Sequence, residues 1–230
     1  MIQPLPASAQ DFPSIGSQYV DFGASMMAVG QMNNVIGTTV RSRGARPVAR
    51  RPAPPPAGAG TRYRASPVVA NRVRAQFADF VAKADPANAD RLRQFVARND
   101  LLAAWEKHVA VDGLRRGDVA DAMTAYWVQN WQIANKVPFA GRAQVQAVRR
   151  QIASALAASP AFARLDDGAR QEIAETFMLN FVAQGSAYSD AAARRDAAAV
   201  ERLSDAAVAR FKKDMQLDLR KLKLTDAGLG

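Results

Sequence analysis

The feature that most restricts the fold is a long stretch, from residue 66 onward, in which apolar residues recur at helical spacing. Breaks such as Asp85-Pro86 and Ser159-Pro160 divide this stretch into segments of helix length. No pair of strand-like segments is available to build a sheet, and the stretch has the length of one ordinary domain, about 150 residues. We therefore predict a single all-α domain of six to seven amphipathic helices over residues 66–230.

Two segments of this domain have distinctive patterns. A helix predicted over about 167–188 is apolar nearly all round, and such a helix is usually central and buried. The next helix is predicted over about 189–215. Residues 217–226 then alternate apolar and polar side chains, which predicts a short strand or an extended strap as the tail of the domain.

Before residue 66 the composition changes. Residues 41–65 are rich in Pro, Gly, Ala and Arg and offer too little apolar surface to fold alone, which predicts a basic linker. Residues 1–40 are richer in Gly and Met. We expect this N-terminal arm to be disordered or to be ordered only by a partner. The core of the helical domain is expected to begin at Val69, so that deletion of residues 1–40 leaves the domain folded.

Within the arm, residues 16–40 carry apolar side chains at helical spacing. Glycine also recurs at every seventh position from Gly16 to Gly37, and each glycine inside a helix costs about 1 kcal/mol relative to alanine. The segment is too glycine-rich to be stable alone and too apolar to be a plain linker. We predict that it docks on protein, either on its own domain or, as the favoured alternative, on a second copy of the chain to drive self-assembly. The residues expected to make this contact are Phe22, Met26, Val29 and Ile36.

Positive charge is concentrated in the arm. The chain has a formal net charge of +10, and before residue 66 seven arginines face only two acidic residues. Such a stretch can attract nucleic acid or an acidic polymer, although a solvated linker is the ordinary alternative. Tyr63 is the only aromatic residue among the arginines, which weakens a role based on base stacking. The candidate anion-binding residues are Arg41, Arg43, Arg46, Arg50, Arg51, Arg62 and Arg64.

Composition excludes several kinds of site. The chain has no cysteine and one histidine, His108, so it cannot form a disulfide, a thiolate metal site or a site with several histidines. No apolar run approaches the roughly 20 residues of a membrane-spanning helix. Phosphate-binding loops and nucleophile motifs are missing, so we expect no cofactor, no metal and no catalytic residue. A hydrolase or lyase that uses His108 with Glu106 or Glu172 is a third functional alternative; a half-buried helix-edge histidine is the ordinary interpretation.

Asn130 and Asn180 fall on or beside the apolar faces of two predicted helices. Leaving a buried amide unpaired costs about 1–3 kcal/mol, so each must find a hydrogen-bond partner. We predict that the two amides belong to a polar part of the core, in the simplest case bonded to each other. A polar ligand site lined by aromatic residues is the alternative.

Two stretches of the sequence resemble a known family. Residues 118–132 contain Asp-Val-Ala-Asp-Ala followed by Ala-Tyr-Trp-Val-Gln-Asn-Trp-Gln, and residues 222–229 read Leu-Lys-Leu-Thr-Asp-Ala-Gly-Leu. These motifs are similar to those of a family of bacterial domains of unknown function, the domain of unknown function 6683, over roughly residues 66–230. The resemblance implies an exported helical domain preceded by a low-complexity arm, and it brings no activity and no site residues.

The N-terminus bears on the location of the protein. Ala7-Ser8-Ala9 has the small-x-small pattern of a signal-peptidase site, although neither a basic nor a strongly apolar region precedes it. Together with the resemblance, this predicts a periplasmic or secreted protein, with a cytoplasmic one as the alternative. The predicted function is that of a non-catalytic structural or interaction protein of the bacterial cell envelope, a subunit or adaptor of a larger assembly. The alternative is a module that binds nucleic acid or an acidic polymer through its arginines.

Overall fold

The structure is a computed structural model that describes residue 22 and residues 27–44, 60–137 and 140–230, with the side chains of α1 described over residues 29–41. These ranges form a single all-α domain, as the sequence predicts. None of the described helices is long and apolar enough to cross a membrane. The helices are α1 (Met27–Gly44), α2 (Pro67–Ala84), α3 (Ala89–Arg98), α4 (Leu101–Val109), α5 (Val119–Asn135), α6 (Arg142–Ala157), α7 (Pro160–Ala163), α8 (Asp167–Ala193) and α9 (Ala197–Met215), and the strands are β1 (Leu224–Thr225) and β2 (Gly228–Leu229).

Among the described helices, four have an aspartate as the capping residue before their first turn. The side chains of Asp100, Asp118, Asp166 and Asp196 each accept a hydrogen bond from a backbone N–H in the first turn of α4, α5, α8 and α9. These bonds satisfy donors that have no partner within the helix, and the negative charge suits the positive end of the helix dipole. Local sequence therefore sets these helix starts.

One predicted helix boundary is wrong. The helix expected to end at residue 188 continues to Ala193, and the next helix begins at Ala197. Arg195 has a positive φ of 56°, which interrupts the helical path, and Asp196 then caps α9. No glycine or proline marks this break in the sequence, which is why the pattern placed it too early.

α8 lies at the centre of the domain. α2, α4, α5 and α9 all pack against it, and residues 173–181 of α8 are buried without interruption. The ring of Tyr126 on α5 meets that of Phe177 on α8, with centroids 4.9 Å apart. The central position agrees with the all-round apolar pattern of this helix.

α1 belongs to the same hydrophobic core. It packs against α6 and α9, and its buried face consists of Val29, Met32, Ile36 and Val40. The expectation that the core begins at Val69 is therefore wrong, because these side chains at helical spacing are buried by the domain itself. Deletion of residues 1–40 would remove part of the core rather than spare it.

The C-terminal tail forms a short hairpin. Leu224 pairs with Leu229, and Thr225 pairs with Gly228, in an antiparallel arrangement that packs on α6. Gly228 has a φ of 109°, a conformation that glycine adopts without strain. This turn buries Leu229 against the domain.

Candidate functional site

The site with the most specific contacts is the surface on which the N-terminal segment sits. We call Phe22 and α1 together the N-terminal segment. The docking face comprises the parts of α2, α5, α6, α8 and α9 that contact this segment. Three of its residues, Asn180, Trp127 and Met215, make the polar or close contacts described below.

Asn180 holds the backbone of Phe22. Its Oδ1 accepts from the N–H of Phe22 at 2.8 Å, and its Nδ2 donates to the carbonyl oxygen of the same residue at 2.7 Å. The ring of Phe22 packs edge-on against Phe77, with centroids 5.2 Å apart, and lies 5.4 Å from the ring of Phe80. Backbone and side chain of Phe22 are thus both recognised by the domain.

Trp127 provides the second contact. Its indole Nε1 donates to Oδ1 of Asn33 on α1 at 3.1 Å, and both side chains are buried. Trp127 also packs edge-on against Phe211, with ring centroids 5.0 Å apart. A buried indole N–H needs a hydrogen-bond partner, and Asn33 supplies that partner within a contact that is otherwise apolar.

Met215, the last residue of α9, provides the third contact. Its carbonyl oxygen accepts a hydrogen bond from Nη1 of Arg41, a favourable place for a cation because the end of a helix carries partial negative charge. A Cβ added at Gly37 would lie 3.0 Å from the Cβ of Met215, whereas one added at Gly30 would meet nothing within 4 Å. The lack of a side chain at Gly37 therefore allows α1 to lie close to α9, whereas the position of Gly30 has room for a side chain.

The residues predicted to form an assembly contact can now be placed. Phe22, Val29 and Ile36 are buried on the chain's own domain, and Met26 lies outside the described residues. Docking on the parent domain was one of the two alternatives for this segment. The contact with a second copy stays a prediction.

The two buried amides have different partners from the simplest prediction. Asn130 donates to the carbonyl of Tyr126 at 2.7 Å and to Oε1 of Gln184 at 3.2 Å, and it accepts from Nη2 of Arg210. Asn180 instead holds Phe22. Both amides are buried, as expected, but they do not bond to each other. Asn130 on α5 bonds instead to Gln184 on α8.

In the part of the chain that the structure describes, Asn180 is one of three amides that bind both the N–H and the carbonyl of another residue. Gln171 accepts from the N–H of Ser66 at 2.7 Å and donates to its carbonyl at 3.0 Å. Gln151 binds the N–H and the carbonyl of Leu229, both at 3.0 Å. Gln151 and Gln171 are not among the residues predicted from the sequence; the available signal was a glutamine within the apolar pattern of a helix.

A buried carboxyl lies beside the Gln171 contact. Glu175 is 4% exposed, and its Oε1 accepts from Nε2 of Gln171 at 2.8 Å. Burial raises the pKa of Glu175, while the hydrogen bond from Gln171 and the charge of Arg116 oppose the rise. Burial also raises the pKa of Tyr63, and the charge of Glu175 adds to that effect. Because Gln171 also binds the backbone of Ser66, the group formed by Glu175, Gln171 and Tyr63 belongs to the packing of residues 63–66 on α8.

His108 is half-buried, with its ring centroid 5.3 Å from that of Phe181. Burial lowers the pKa of His108. The carboxylates proposed to assist it have other contacts: Glu106 accepts from the backbone N–H of Arg116 at 3.4 Å, and Glu172 pairs with Arg72 at 2.9 Å. Over the described part of the chain, no three His, Asp or Glu side chains gather as a metal site requires.

The arginines of the arm fall into three groups. Arg41 belongs to the docking contact. Arg62 and Arg64 are exposed, on a stretch fixed by a backbone hydrogen bond from Val119 to Thr61 at 2.9 Å. Arg43 lies in α1 without a described side chain, and Arg46, Arg50 and Arg51 lie outside the described residues.

Comparison with known proteins places the chain in a family. A family model described as a family of unknown function (DUF6683) matches residues 24–230, and the chain belongs to that family. The match begins before α1 and therefore includes this helix. The resemblance seen in the sequence begins at about residue 66 and does not include it. Neither the comparison with curated proteins nor the comparison with solved structures gives a match.

Proposed function

We propose that this member of the DUF6683 family is a non-catalytic interaction protein of the bacterial cell envelope, where it acts as a subunit or adaptor of a larger assembly. The observation that supports the proposal best is the seating of the N-terminal segment on the docking face. The N-terminal segment brings an apolar helix to a surface that offers both apolar contacts and hydrogen bonds. A helix whose apolar face lies on a complementary surface is a common mode of protein recognition.

The docking face is selective for its occupant. Asn180 requires a free backbone N–H and carbonyl, Trp127 requires an acceptor, and Met215 requires a residue without a side chain opposite it. An occupant without the acceptor would leave the indole N–H buried and unpaired, at a cost of about 1–3 kcal/mol. Selectivity of this kind is expected of a contact on which an assembly depends.

The segment that fills the docking face is tethered to the domain by residues 45–59. A tethered segment can occupy its own domain or a neighbouring one, and its ordering entropy is then offset by the contacts it forms. Exchange of an identical element between subunits is a known route to assembly. The tether and the selective face together support a role as an interlocking subunit.

The envelope location is supported by the sequence. It depends on the resemblance to exported proteins and on the Ala7-Ser8-Ala9 pattern of a signal-peptidase site. Fractionation of the source cells, with an antibody against the full-length protein, should recover the chain in the periplasmic or secreted fraction. Recovery in the cytosol alone would contradict this part of the proposal.

The assembly role is tested by the native size of the protein in the same fractions. We expect the chain to migrate in a complex larger than its own 24.8 kDa. Asn33→Ala removes the acceptor of Trp127 and should shift the chain toward smaller sizes. Asn34→Ala is the matched control, because Asn34 is the adjacent amide and its side chain is exposed. A wild-type chain at its monomer mass in every fraction would count against the proposal.

Anion binding by the arginines is the second candidate, and the exposure of Arg62 and Arg64 favours it. Titration with DNA and with polyphosphate at several salt concentrations tests it, because contacts to phosphates weaken steeply as salt increases. Replacement of both arginines by glutamine should reduce that salt dependence. An affinity that ignores both salt and the double substitution would exclude this role for the pair.

A further inference from the structure

We infer that residues 60–66, which we call the crossing segment, are a pH-sensitive element: they are held on the domain while Glu175 carries its proton and open locally once Glu175 has lost it. The segment runs from the start of α5 to the start of α2. None of the contacts described for the docking face involves it. The crossing segment is therefore separate from the proposed assembly contact.

The crossing segment is attached mainly through its backbone. The carbonyl of Thr61 accepts from the N–H of Val119 at 2.9 Å, and the N–H of Tyr63 donates to the carbonyl of Gly117 at 3.1 Å. Four of the seven residues are exposed, namely Gly60, Arg62, Arg64 and Ala65. A segment that buries so little of itself can open while the rest of the domain stays folded.

Gln171 connects the crossing segment to a buried carboxyl. Its Oε1 accepts from the N–H of Ser66 at 2.7 Å, and its Nε2 donates both to the carbonyl of Ser66 at 3.0 Å and to Oε1 of Glu175 at 2.8 Å. Burial raises the pKa of Tyr63, and the charges of Glu175 and, less strongly, Asp118 add to that rise. The charge of Glu175 therefore acts on the segment through both Gln171 and Tyr63.

The second oxygen of this carboxyl makes ionisation unfavourable while the segment is closed. Glu175 is 4% exposed, and its Oε2 is buried with no hydrogen-bond partner among the described residues. Burying a charged group without donors costs much more than burying a neutral one. Loss of the proton therefore favours a state in which water reaches Oε2, and the mostly exposed crossing segment can admit that water by moving.

The surrounding charges act on Glu175 in both directions. Burial raises its pKa, the charges of Arg116 before α5 and Arg74 on α2 oppose the rise, and the charge of Asp100 before α4 adds to it. The result is a pKa above the ordinary value of 4.5 in the closed state. Opening returns the carboxyl to water and toward that ordinary value. Opening therefore becomes more favourable as the pH rises from 4.5 through the closed-state pKa.

Amide hydrogen exchange on the full chain tests this behaviour. The probes are the N–H groups of Tyr63, Ser66 and Val119, each of which bonds within or to the crossing segment. The reference amides are those of residues 173–181 at the buried centre of α8. Protection factors compare each amide with an unstructured peptide at the same pH, and they are measured between pH 4.5 and neutrality with and without dilute urea.

We expect the probe amides to be less protected than the centre of α8. Their protection should hardly change in dilute urea, because local opening exposes little surface, whereas the reference amides should follow the steep urea dependence of global unfolding. Between pH 4.5 and neutrality the protection of the probe amides should fall by more than about threefold, and by at most about tenfold for each pH unit because one proton is involved.

Two variants assign the effect to one carboxyl. Glu175→Gln keeps the size of the side chain and removes its charge, so the protection of the crossing segment should become independent of pH. Glu172→Gln is the matched control, because it loses only the partly exposed ion pair with Arg72, and it should keep the pH dependence of the wild type.

Three results would overturn the inference. The probe amides could show the same urea dependence as the centre of α8, which would mean that the segment opens only with the whole domain. The pH dependence could persist in Glu175→Gln, which would assign it to another group. Finally, the protection of the wild type could stay constant over the whole pH range, and this measurement requires no variant.

Discussion

The amide of Asn180 binds the N–H and the carbonyl of Phe22 at 2.8 and 2.7 Å, although the two residues are 158 positions apart. The contact joins the centre of the domain to a residue that precedes the first described helix. It therefore makes the position of the N-terminal segment depend on one buried side chain of α8.

Replacement of Asn180 by alanine should lower the stability of the protein. Two backbone groups of Phe22 would lose their partner in a buried place, and such losses cost about 1–3 kcal/mol for each group. We expect the free energy of unfolding in urea to fall by about 2 kcal/mol or more. The control Asn34→Ala removes an exposed amide and should change it by less than about 0.5 kcal/mol. Equal effects of the two substitutions would show that the Phe22 contact adds nothing to stability.

Two glycines of α1 should respond differently to alanine. Gly30→Ala should stabilise the protein by about 1 kcal/mol, because alanine is the better helix former and the added Cβ meets nothing within 4 Å. Gly37→Ala gains the same propensity but places its Cβ 3.0 Å from that of Met215. Its melting temperature should therefore fall below that of Gly30→Ala, since overpacking typically costs about 1–3 kcal/mol. Identical melting temperatures would mean that α1 does not approach α9 as closely as described.

The C-terminal hairpin depends on Gly228. A Cβ at this position would lie 2.5 Å from Oε1 of Gln151, the atom that accepts from the N–H of Leu229. Its φ of 109° is also strained for any other residue. We expect Gly228→Ala to destabilise the protein by at least about 2 kcal/mol, measured by thermal unfolding. Gly60→Ala, with nothing within 4 Å of the added Cβ, is the control and should be close to neutral. A neutral Gly228→Ala would refute the role given to Gln151.

Glu175 should make stability depend on pH. Burial raises its pKa in the folded protein above the ordinary value of 4.5, so the folded state keeps the proton to a higher pH than the unfolded chain does. The stability that this group contributes is therefore full below 4.5 and is lost as the pH rises through the folded pKa. Glu175→Gln should be more stable than the wild type at neutral pH, and its stability should vary less between pH 4.5 and neutrality.

Urea unfolding at a series of pH values measures the Glu175 effect. The comparison variant is Glu172→Gln, which loses only the partly exposed ion pair with Arg72, worth less than about 1 kcal/mol. Parallel pH profiles for Glu175→Gln and the wild type would contradict the role assigned to Glu175.

The sequence predicts the helical domain well, because its signals are local. Asp166 caps α8, which begins at the predicted residue 167, and the predicted breaks at Asp85 and Ser159 separate helices in the structure. The exception is Arg195, which has a positive φ of 56° just after α8 although its residue type does not favour that conformation. Local chemistry thus accounts for where these helices start, whereas the residue types give no signal for the end of α8.

The docking face could be predicted only in part. The helical spacing of Val29 and Ile36 shows that α1 has an apolar face, but the partners Trp127 and Met215 lie 94 and 174 positions away from the residues they hold. No local pattern specifies such pairs. The burial of Asn130 follows from its place on a helix face, whereas its partner depends on how α5 and α8 are rotated against each other.

The three amides that hold Phe22, Ser66 and Leu229 bind main-chain atoms, which every residue except proline presents in the same form. Such a contact constrains the sequence of the helix that carries the amide much more than the sequence of the segment that the amide binds. Related chains can therefore diverge at positions such as 66 while they retain Gln171. In an alignment of relatives, these junctions would be recognised by invariant polar residues within apolar helices, beside loops whose own sequences drift.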